Sequence, residues 1–476
     1  MNPDHTDRAR TAVEKKMLAD GASRPLIHTF LRHYDRLRAG DRGRVDESMI
    51  VPVRDLPGPE DIRGHAESGS DALSHSVVIK LNGGLGTTMG LDQAKSLLRV
   101  KEGLTFLDII VRQILELRRS CTSGLPLMFM NSFSTETDTR EKLQNYRELS
   151  RGQEGLPLTF LQNRVPRIRC DTLYPVEWPS APEREWCPPG HGDLYIALAT
   201  TGLLDQLIDR GIRFAFVSNA DNLGASMDLD ILGYFANSPG SFMMEVTTRT
   251  EADRKGGHLA QLRDGRLTLR ESAQCPENEQ DAFQDITKYR YFNTNNLWIK
   301  LDALKAKLMS EHGTLPLPTI VNRKKADPHE PDAPYVYQLE SAMGAAISVF
   351  EESMALDIPR TRFTPVKTTD DLLAIRSDAY VLSRDYRVQP NPARRRNDLV
   401  IHLDPRYYGR IQDFEDRFAE DPPSLLECDR LKIEGDITFG RRIRIIGDAH
   451  LRNASSGPVR LPDGTTLTGR ASPINV

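Results

Sequence analysis

Cysteine is scarce and scattered. The five residues Cys121, Cys170, Cys187, Cys275 and Cys428 form no C-x-x-C pair, which excludes both a zinc-ribbon pattern and a disulfide framework. Their odd number favours a reducing, cytoplasmic setting. Long hydrophobic runs are missing too: none approaches the roughly 18 residues of a membrane span, and Met1–Lys16 is charged where a signal peptide would be apolar. No membrane association is expected. Nor is there an excess of one charge, since 63 Lys plus Arg stand against 67 Asp plus Glu, a formal net charge of −4. That balance argues against a general nucleic-acid binder, so an anionic ligand needs a local site.

What is present is an ordinary globular composition, 39% hydrophobic and 27% charged over 476 residues, enough for a large core or about three domains. Residues 1–74 read as a polar helical part, with apolar residues at three- and four-residue spacing in Ala12–Met17 and Leu26–Leu37. From Ser76 the pattern changes. Strand readings at Val77–Leu81, Leu125–Asn131, Leu156–Leu161 and Phe214–Val217 alternate with helix readings at Phe106–Leu117, Glu136–Tyr146 and Asp193–Ile208. Such alternation predicts an α/β domain on a mostly parallel sheet covered on both faces. Phe242–Thr247 and Leu297–Ile299 add strands, and Leu339–Phe350 reads as a helix. Proline-bearing breaks at Ala326–Pro334 and Gln389–Arg396 read as loops, the second a hinge candidate.

The last fifty residues follow another rule. Apolar pairs recur every six residues, at Leu431 and Ile433, Ile437 and Phe439, Ile443 and Ile445, and Ala449 and Leu451. After a slip, Val459 with Leu461 and Thr465 with Leu467 resume the spacing. This is the period of a β-helix coil, although two plain hairpins would also use such pairs. End coils of short β-helices often pair with another chain, so a homo-oligomer through this tail is an expectation.

The chemistry-bearing segment is Val78–Gly90, Val-Ile-Lys-Leu-Asn-Gly-Gly-Leu-Gly-Thr-Thr-Met-Gly, a glycine loop directly after a strand. Its backbone can approach phosphates or a flat base without side-chain obstruction. Gly84, Gly86 and Gly90 give G-x-G-x-x-x-G rather than the dinucleotide fingerprint, and Ala94 precedes Lys95 where a P-loop needs glycine.

These residues resemble the eukaryotic-type UTP–glucose-1-phosphate uridylyltransferases, or UDP-glucose pyrophosphorylases. The likeness rests on seven ordered motifs: Lys80–Gly90, Met130–Phe133 (MNSF), Pro188–Asp193 (PPGHGD), Val217–Gly224 (VSNADNLG), Phe292–Trp298 (FNTNNLW), Gln338–Ile347 (QLESAMGAAI) and Pro365–Leu373 (PVKTTDDLL). It implies a helical part over residues 1–74, a central nucleotide-binding domain over 75–388 resembling GT-A glycosyltransferases on a mixed, mostly parallel sheet, and a linker with a left-handed β-helix over 389–476.

The implied reaction joins UTP and glucose 1-phosphate into UDP-glucose and pyrophosphate, the sugar phosphate attacking the α-phosphorus in line. That nucleophile is already anionic near neutrality, its second pKa being about 6. The demand is therefore for positioning and positive charge. By resemblance Lys367 and Lys95 are the catalytic cations on the phosphates, and Asp221 is the ligand of one Mg²⁺. Leu81, Asn82, Gly83, Gly84, Gln162, Gly190 and Asn219 complete the UTP site. Gly83, Gly84, His191, Asn219, Ala220, Asp221, Glu271, Asn293 and Asn295 form the glucose 1-phosphate site. Amides and carboxylates suit a polyol, whose hydroxyls both donate and accept. Asp228 and Asp230 form a D-x-D but read as helix N-terminal charges rather than metal ligands.

One departure lies close to the site. Leu91-Asp92-Gln93-Ala94 stands where the family commonly carries Cys-Lys-Gly-Pro, so a charge is reversed three residues before Lys95. Alternatives remain the same transfer to another sugar 1-phosphate, a GT-A-like glycosyltransferase, or a nucleotide-sugar sensor.

Overall fold

A computed structural model describes residues 3–121, 124–327, 330, 333–396, 399–455, 457–469 and 474–475. Its core is a ten-stranded sheet: β1 Ile50–Val51, β2 Ser76–Asn82, β3 Leu127–Asn131, β4 Thr159–Leu161, β5 Phe214–Asn219, β6 Phe242–Thr248, β7 His258–Leu262, β8 Leu267–Arg270, β9 Tyr291–Lys300 and β10 Ser353–Asp357. The spatial order is β1-β7-β9-β5-β2-β3-β4, with β6 joining β9 to β10 and β8 paired with β7. Strands β5, β2, β3 and β4 run parallel. Around β9 the sheet turns antiparallel, to β5, β6 and β7. The expectation of a mostly parallel sheet therefore holds for one half only. Beyond β5 the connections are mixed: the helix Leu229–Asn237 links β5 to β6, β6 runs parallel to β10, and β7 and β8 form an antiparallel hairpin.

Both faces are covered, which is why the central strands read as continuous apolar runs. On β2, Val77 and Ile79 pack towards the helices Leu194–Thr200 and Leu203–Asp209, while Val78 packs towards the helix Phe106–Cys121. The helix expected over Asp193–Ile208 is two helices, because Gly202 takes φ +71° between them. Only Tyr335–Glu340 and the 3₁₀ turn Met343–Ser348 occupy the stretch expected as the helix Leu339–Phe350. Its backbone is drawn into other bonds: Ser341 N–H donates to Pro189 O (2.9 Å) and Met343 N–H to His191 Nδ1 (2.9 Å).

The N-terminal helices Pro3–Ala19 and Arg24–Arg38 bury Val13, Met17, Phe30 and Tyr34 against Val165, Ile168 and Leu173. Ser23 caps the second helix through Leu26 N–H, with Pro25 in its first turn. In the tail the predicted apolar pairs stack in parallel register: Leu431 and Ile433 on Ala449 and Leu451, Ile437 and Phe439 on Val459 and Leu461, and Ile445 on Leu467. Antiparallel hairpins are thereby replaced by stacked parallel turns. Residues 328–329 and 331–332 of the expected loop lie outside the described residues, as do the extreme ends of the first and last expected domains. No helix among the described residues is long and apolar enough to cross a membrane.

Candidate active site

The predicted residues gather along the ends of β2, β3 and β5 and across β9. Strand β2 delivers Leu81 and Asn82, and the chain then turns through Gly83 and Gly84. A Cβ on Gly83 would sit 3.2 Å from Gln162 Nε2, whereas one on Gly84 would meet nothing within 4 Å. Gly83 thus lets the loop lie against the Gln162 amide, and Gly84 opens onto the cleft. Gln162 is held by its own N–H on Asn131 O (2.8 Å) at the end of β3. Asn82 differs from its neighbours, since its amide donates inward to Asn131 Oδ1 (2.8 Å) and Thr139 Oγ1 (2.9 Å). Its side chain is spent fixing the loop's base.

After the turn Thr87–Met89 the chain folds back, Lys95 N–H donating to Gly84 O (3.1 Å). Gly86 takes φ +67° and lies under the Lys95 stem, a Cβ there falling 3.2 Å from Lys95 Cγ. Leu91 and Ala94 point inward and are buried, while Asp92 and Gln93 face solvent. The altered segment therefore still delivers Lys95, whose Nζ lies 2.7 Å from Asp221 Oδ2.

Asp221 follows β5, where Ala220 N–H donates to Leu81 O (3.0 Å). Ala220 itself is buried and contributes backbone only. The segment that carries Lys367 is clamped onto this loop. Val366 N–H donates to Asp221 O (3.2 Å), Thr364 N–H to Asn222 Oδ1 (3.0 Å), and Asn222 Nδ2 to Arg362 O (3.2 Å). Asn222 Nδ2 also reaches Asn296 Oδ1 on β9 (3.3 Å). Lys367 is exposed, with Nζ 5.9 Å from the Phe292 ring centroid. Its backbone N–H and the capping box of Thr368 share the Asp371 carboxylate, which starts the helix Thr369–Arg376.

Beneath this clamp Arg362 makes a bidentate pair with Glu245, at 3.0 and 2.8 Å, and donates to Ser226 O (3.0 Å). Glu245 is fully buried and also accepts from Asn296 Nδ2 and Trp298 Nε1, both at 2.9 Å. Asp228 accepts from the N–H groups of Asp230 and Ile231 and caps the helix Leu229–Asn237, as its D-x-D reading predicted.

On the other side of β9, Asn293 and Asn295 bond each other, and Asn295 adopts φ +57° at the point where the β6 register slips. A non-glycine residue in the left-handed region within a strand is uncommon, and here it turns an amide off the sheet. Glu271 caps the short turn Ser272–Gln274, and Gly257 leaves room for its carboxylate. Burial pushes the Glu271 pKa up, the Lys367 charge pulling it back in part. Gly190 has φ +82° and its neighbour His191 receives the Met343 N–H on Nδ1. A backbone N–H can only donate, so Nδ1 is bare and the neutral ring carries its proton on Nε2. Burial lowers the His191 pKa to about 4. Gly344 then closes the ring, a Cβ on it lying 3.2 Å from Asn293 Nδ2. Asn219, paired with Leu81, completes the floor.

Sequence reasoning did not find Asn222, Asn296, Glu245 or Arg362. Two of them lie inside recognised motifs, but nothing in their spacing marks them as a clamp.

A strand-end glycine loop, one carboxylate and two lysines brought from distant segments define an α/β enzyme that handles phosphates. The comparisons with known proteins narrow that class. The family model described as UTP–glucose-1-phosphate uridylyltransferase matches residues 27–445. The barley (Hordeum vulgare) UTP–glucose-1-phosphate uridylyltransferase is 39% identical over 428 residues, 89% of this chain and 86% of that one. A probable UTP–glucose-1-phosphate uridylyltransferase of Schizosaccharomyces pombe is 38% identical over 83% of this chain and 77% of that one. The crystal structure of a Leishmania major UDP-glucose pyrophosphorylase mutant in complex with UDP-glucose superposes with a TM-score of 0.92 at 41% identity, covering 98% of this chain and 99% of that one. The chain belongs to the UTP–glucose-1-phosphate uridylyltransferase family.

Proposed function

We propose that this cleft makes UDP-glucose and pyrophosphate from UTP and glucose 1-phosphate by in-line attack of the sugar phosphate on the α-phosphorus. The observation that carries the mechanism is the clamp that sets the Lys367 segment against the Asp221 loop, with Lys95 on the same carboxylate. Lys367 neutralises charge at the α-phosphoryl group as it transfers, and Lys95 moves onto the UTP phosphates. Gln162, with donor and acceptor on one amide, reads the uracil edge beside Gly83. Glu271, Asn293 and Asn295 take the sugar hydroxyls. His191 donates from Nε2 to the sugar phosphate without needing to be charged.

Asp221 fits a magnesium ion. Its carboxylate already carries a cation, the Lys95 ammonium, and no group of three or more His, Cys, Asp or Glu side chains able to hold a metal gathers among the described residues. One carboxylate plus phosphate oxygens and water is the shell Mg²⁺ favours. When bound, the ion supplies positive charge to the phosphates.

The same proposal covers the organisation: a helical part over 1–74, a catalytic domain over 75–388, and a 389–476 segment whose stacked parallel turns form a left-handed β-helix offering a homo-oligomer contact. A cytoplasmic location is part of the same proposal, supported by the five cysteines, none of which forms a disulfide.

The test is pyrophosphate release from UTP and Mg²⁺ with glucose 1-phosphate, galactose 1-phosphate or N-acetylglucosamine 1-phosphate. A glucose-dependent signal at least tenfold above the other sugars is expected. Equal rates would move the specificity to another sugar, and no pyrophosphate with any of them would overturn the reading.

A further inference from the structure

We infer that Arg410, contributed by the C-terminal segment, binds the β- and γ-phosphates of UTP and the pyrophosphate they become. The inference rests on the uridylyl-transfer reading above and adds a residue from outside the catalytic domain to its phosphate site.

The glycine loop is poor in positive charge. Residues 82–94 contain no Lys or Arg and one carboxylate, the exposed Asp92. Lys95 closes the loop as its one cation, its charge shared with the Asp221 carboxylate. A triphosphate and a sugar phosphate meeting here carry several negative charges, and phosphate sites on proteins meet that with guanidinium or ammonium donors.

Arg410 is placed to supply one. It precedes the helix Ile411–Arg417, and its aliphatic stem lies over Gly90, where a Cβ would fall 3.3 Å from Cγ, 3.5 Å from Cβ and 3.6 Å from Cδ. Gly90 has φ +70° and ends the turn Thr87–Met89, whose other end, Gly86, lies under the Lys95 stem. Two cationic side chains thus flank one turn of the phosphate loop, reached from opposite ends of the sequence.

The two differ in what occupies their heads. Neighbouring arginines are committed: Arg406 to Asp404, Arg417 to Asp436 and Arg376 to Glu415. The Arg410 side chain is exposed and has no hydrogen-bond or ion-pair partner among the described residues, although Asp92 lies on the same loop. A stem lying over a glycine turn, with a guanidinium that has no partner among the described residues, is an arrangement suited to a planar, bidentate phosphate contact. The β- and γ-phosphates are the natural target, since the α-phosphate is reserved to Lys367 and the reacting oxygen.

The test uses the full chain with Arg410→Ala and Arg410→Lys. UTP and UMP affinities are measured by calorimetry, and KM for pyrophosphate and for UDP-glucose in the reverse direction. Arg410→Ala is expected to weaken UTP binding and raise the pyrophosphate KM about tenfold or more, the size of a lost charge-assisted contact. UMP affinity and the UDP-glucose KM stay within twofold, and Arg410→Lys recovers part of the loss. Unchanged UTP and pyrophosphate values would overturn the inference and leave Arg410 as a cover for Gly90. Equal weakening of UTP and UMP would overturn it too, by showing a general disturbance of the loop. Wild-type protein that forms no UTP from UDP-glucose and pyrophosphate would instead refute the uridylyl-transfer reading, while the UTP-against-UMP comparison still judges Arg410.

Discussion

Lys95 Nζ and Asp221 Oδ2 are 2.7 Å apart, so the proposed phosphate lysine and the proposed metal carboxylate offset each other's charge. The pair is only partly enclosed, with side-chain exposures of 14% and 24%. Its contribution to folding is therefore small, about 1 kcal/mol or less. Its contribution to catalysis is of another size, because phosphate charge has to be offset in the transition state. Lys95→Met is expected to lower kcat by about a hundredfold or more while moving Tm by no more than a few degrees. Thermal unfolding and pyrophosphate release on the same preparation check both. A near-normal kcat would remove Lys95 from the reaction.

The Asn222 clamp predicts a positioning effect. Its amide holds Thr364 N–H, Arg362 O and Asn296 Oδ1, yet the side chain is buried and is not among the residues assigned to substrate. Removing it loosens the Lys367 segment relative to Asp221, and small misplacements of a reacting geometry are costly in rate. Asn222→Ala should lower kcat by about tenfold to a hundredfold with KM for UTP little changed. Asn222→Asp keeps the acceptor for Thr364 and loses the donor, so an intermediate kcat is expected. Steady-state kinetics with both substrates varied separates this from simple loss of binding.

Much of this site was legible in the sequence because its chemistry sits in contiguous motifs. The glycine loop, the His191 turn and the Asn293–Asn295 strand each carry their residues within a few positions. The tail was legible for a different reason, since a six-residue apolar period survives into stacked parallel pairs such as Ile437 on Val459 and Phe439 on Leu461. Leu339–Phe350 misled because its apolar spacing suits a helix, while Ser341 and Met343 give their N–H groups to Pro189 and His191 instead. Arg362, Glu245 and Arg410 were invisible because each acts on a partner more than a hundred residues away. No local period encodes such a contact.

Glu245 and Arg362 make the sharpest stability prediction. Both charges are buried, the carboxylate wholly so, and the pair joins the Lys367 segment to β6. Removing one partner leaves the other uncompensated in the core. Arg362→Met is expected to cost about 3–5 kcal/mol in urea unfolding. The double variant Arg362→Met with Glu245→Gln should lose less than the sum of the two single variants, because the stranded charge is gone. Strict additivity would show that the two side chains do not act as a pair.

Acid sensitivity follows from buried histidines. Burial lowers the pKa of His33 and His258 to about 3 and that of His191 to about 4, against an ordinary value near 6.5. Each is neutral in the folded chain, whereas the unfolded chain takes up a proton below pH 6.5. Their stabilising effect is complete above that pH and is lost as pH falls towards 4, by roughly 2 kcal/mol for each at pH 5. Asp193 acts with the opposite sign: burial raises its pKa to about 6, so its folded form gains a proton first and offsets part of the loss. The net expectation is a Tm that falls between pH 7 and pH 5. His258 offers a clean probe because its ring stacks on Tyr289 at 4.0 Å and packs against Phe283 at 4.9 Å, with Nε2 unpartnered among the described residues. Arg249 and Arg270 lower its pKa further, and Glu47 opposes them. A phenylalanine keeps the stacking and cannot titrate. His258→Phe should therefore show a smaller drop in Tm from pH 7 to pH 5 than the wild-type chain; an equal drop would place the acid sensitivity in other groups.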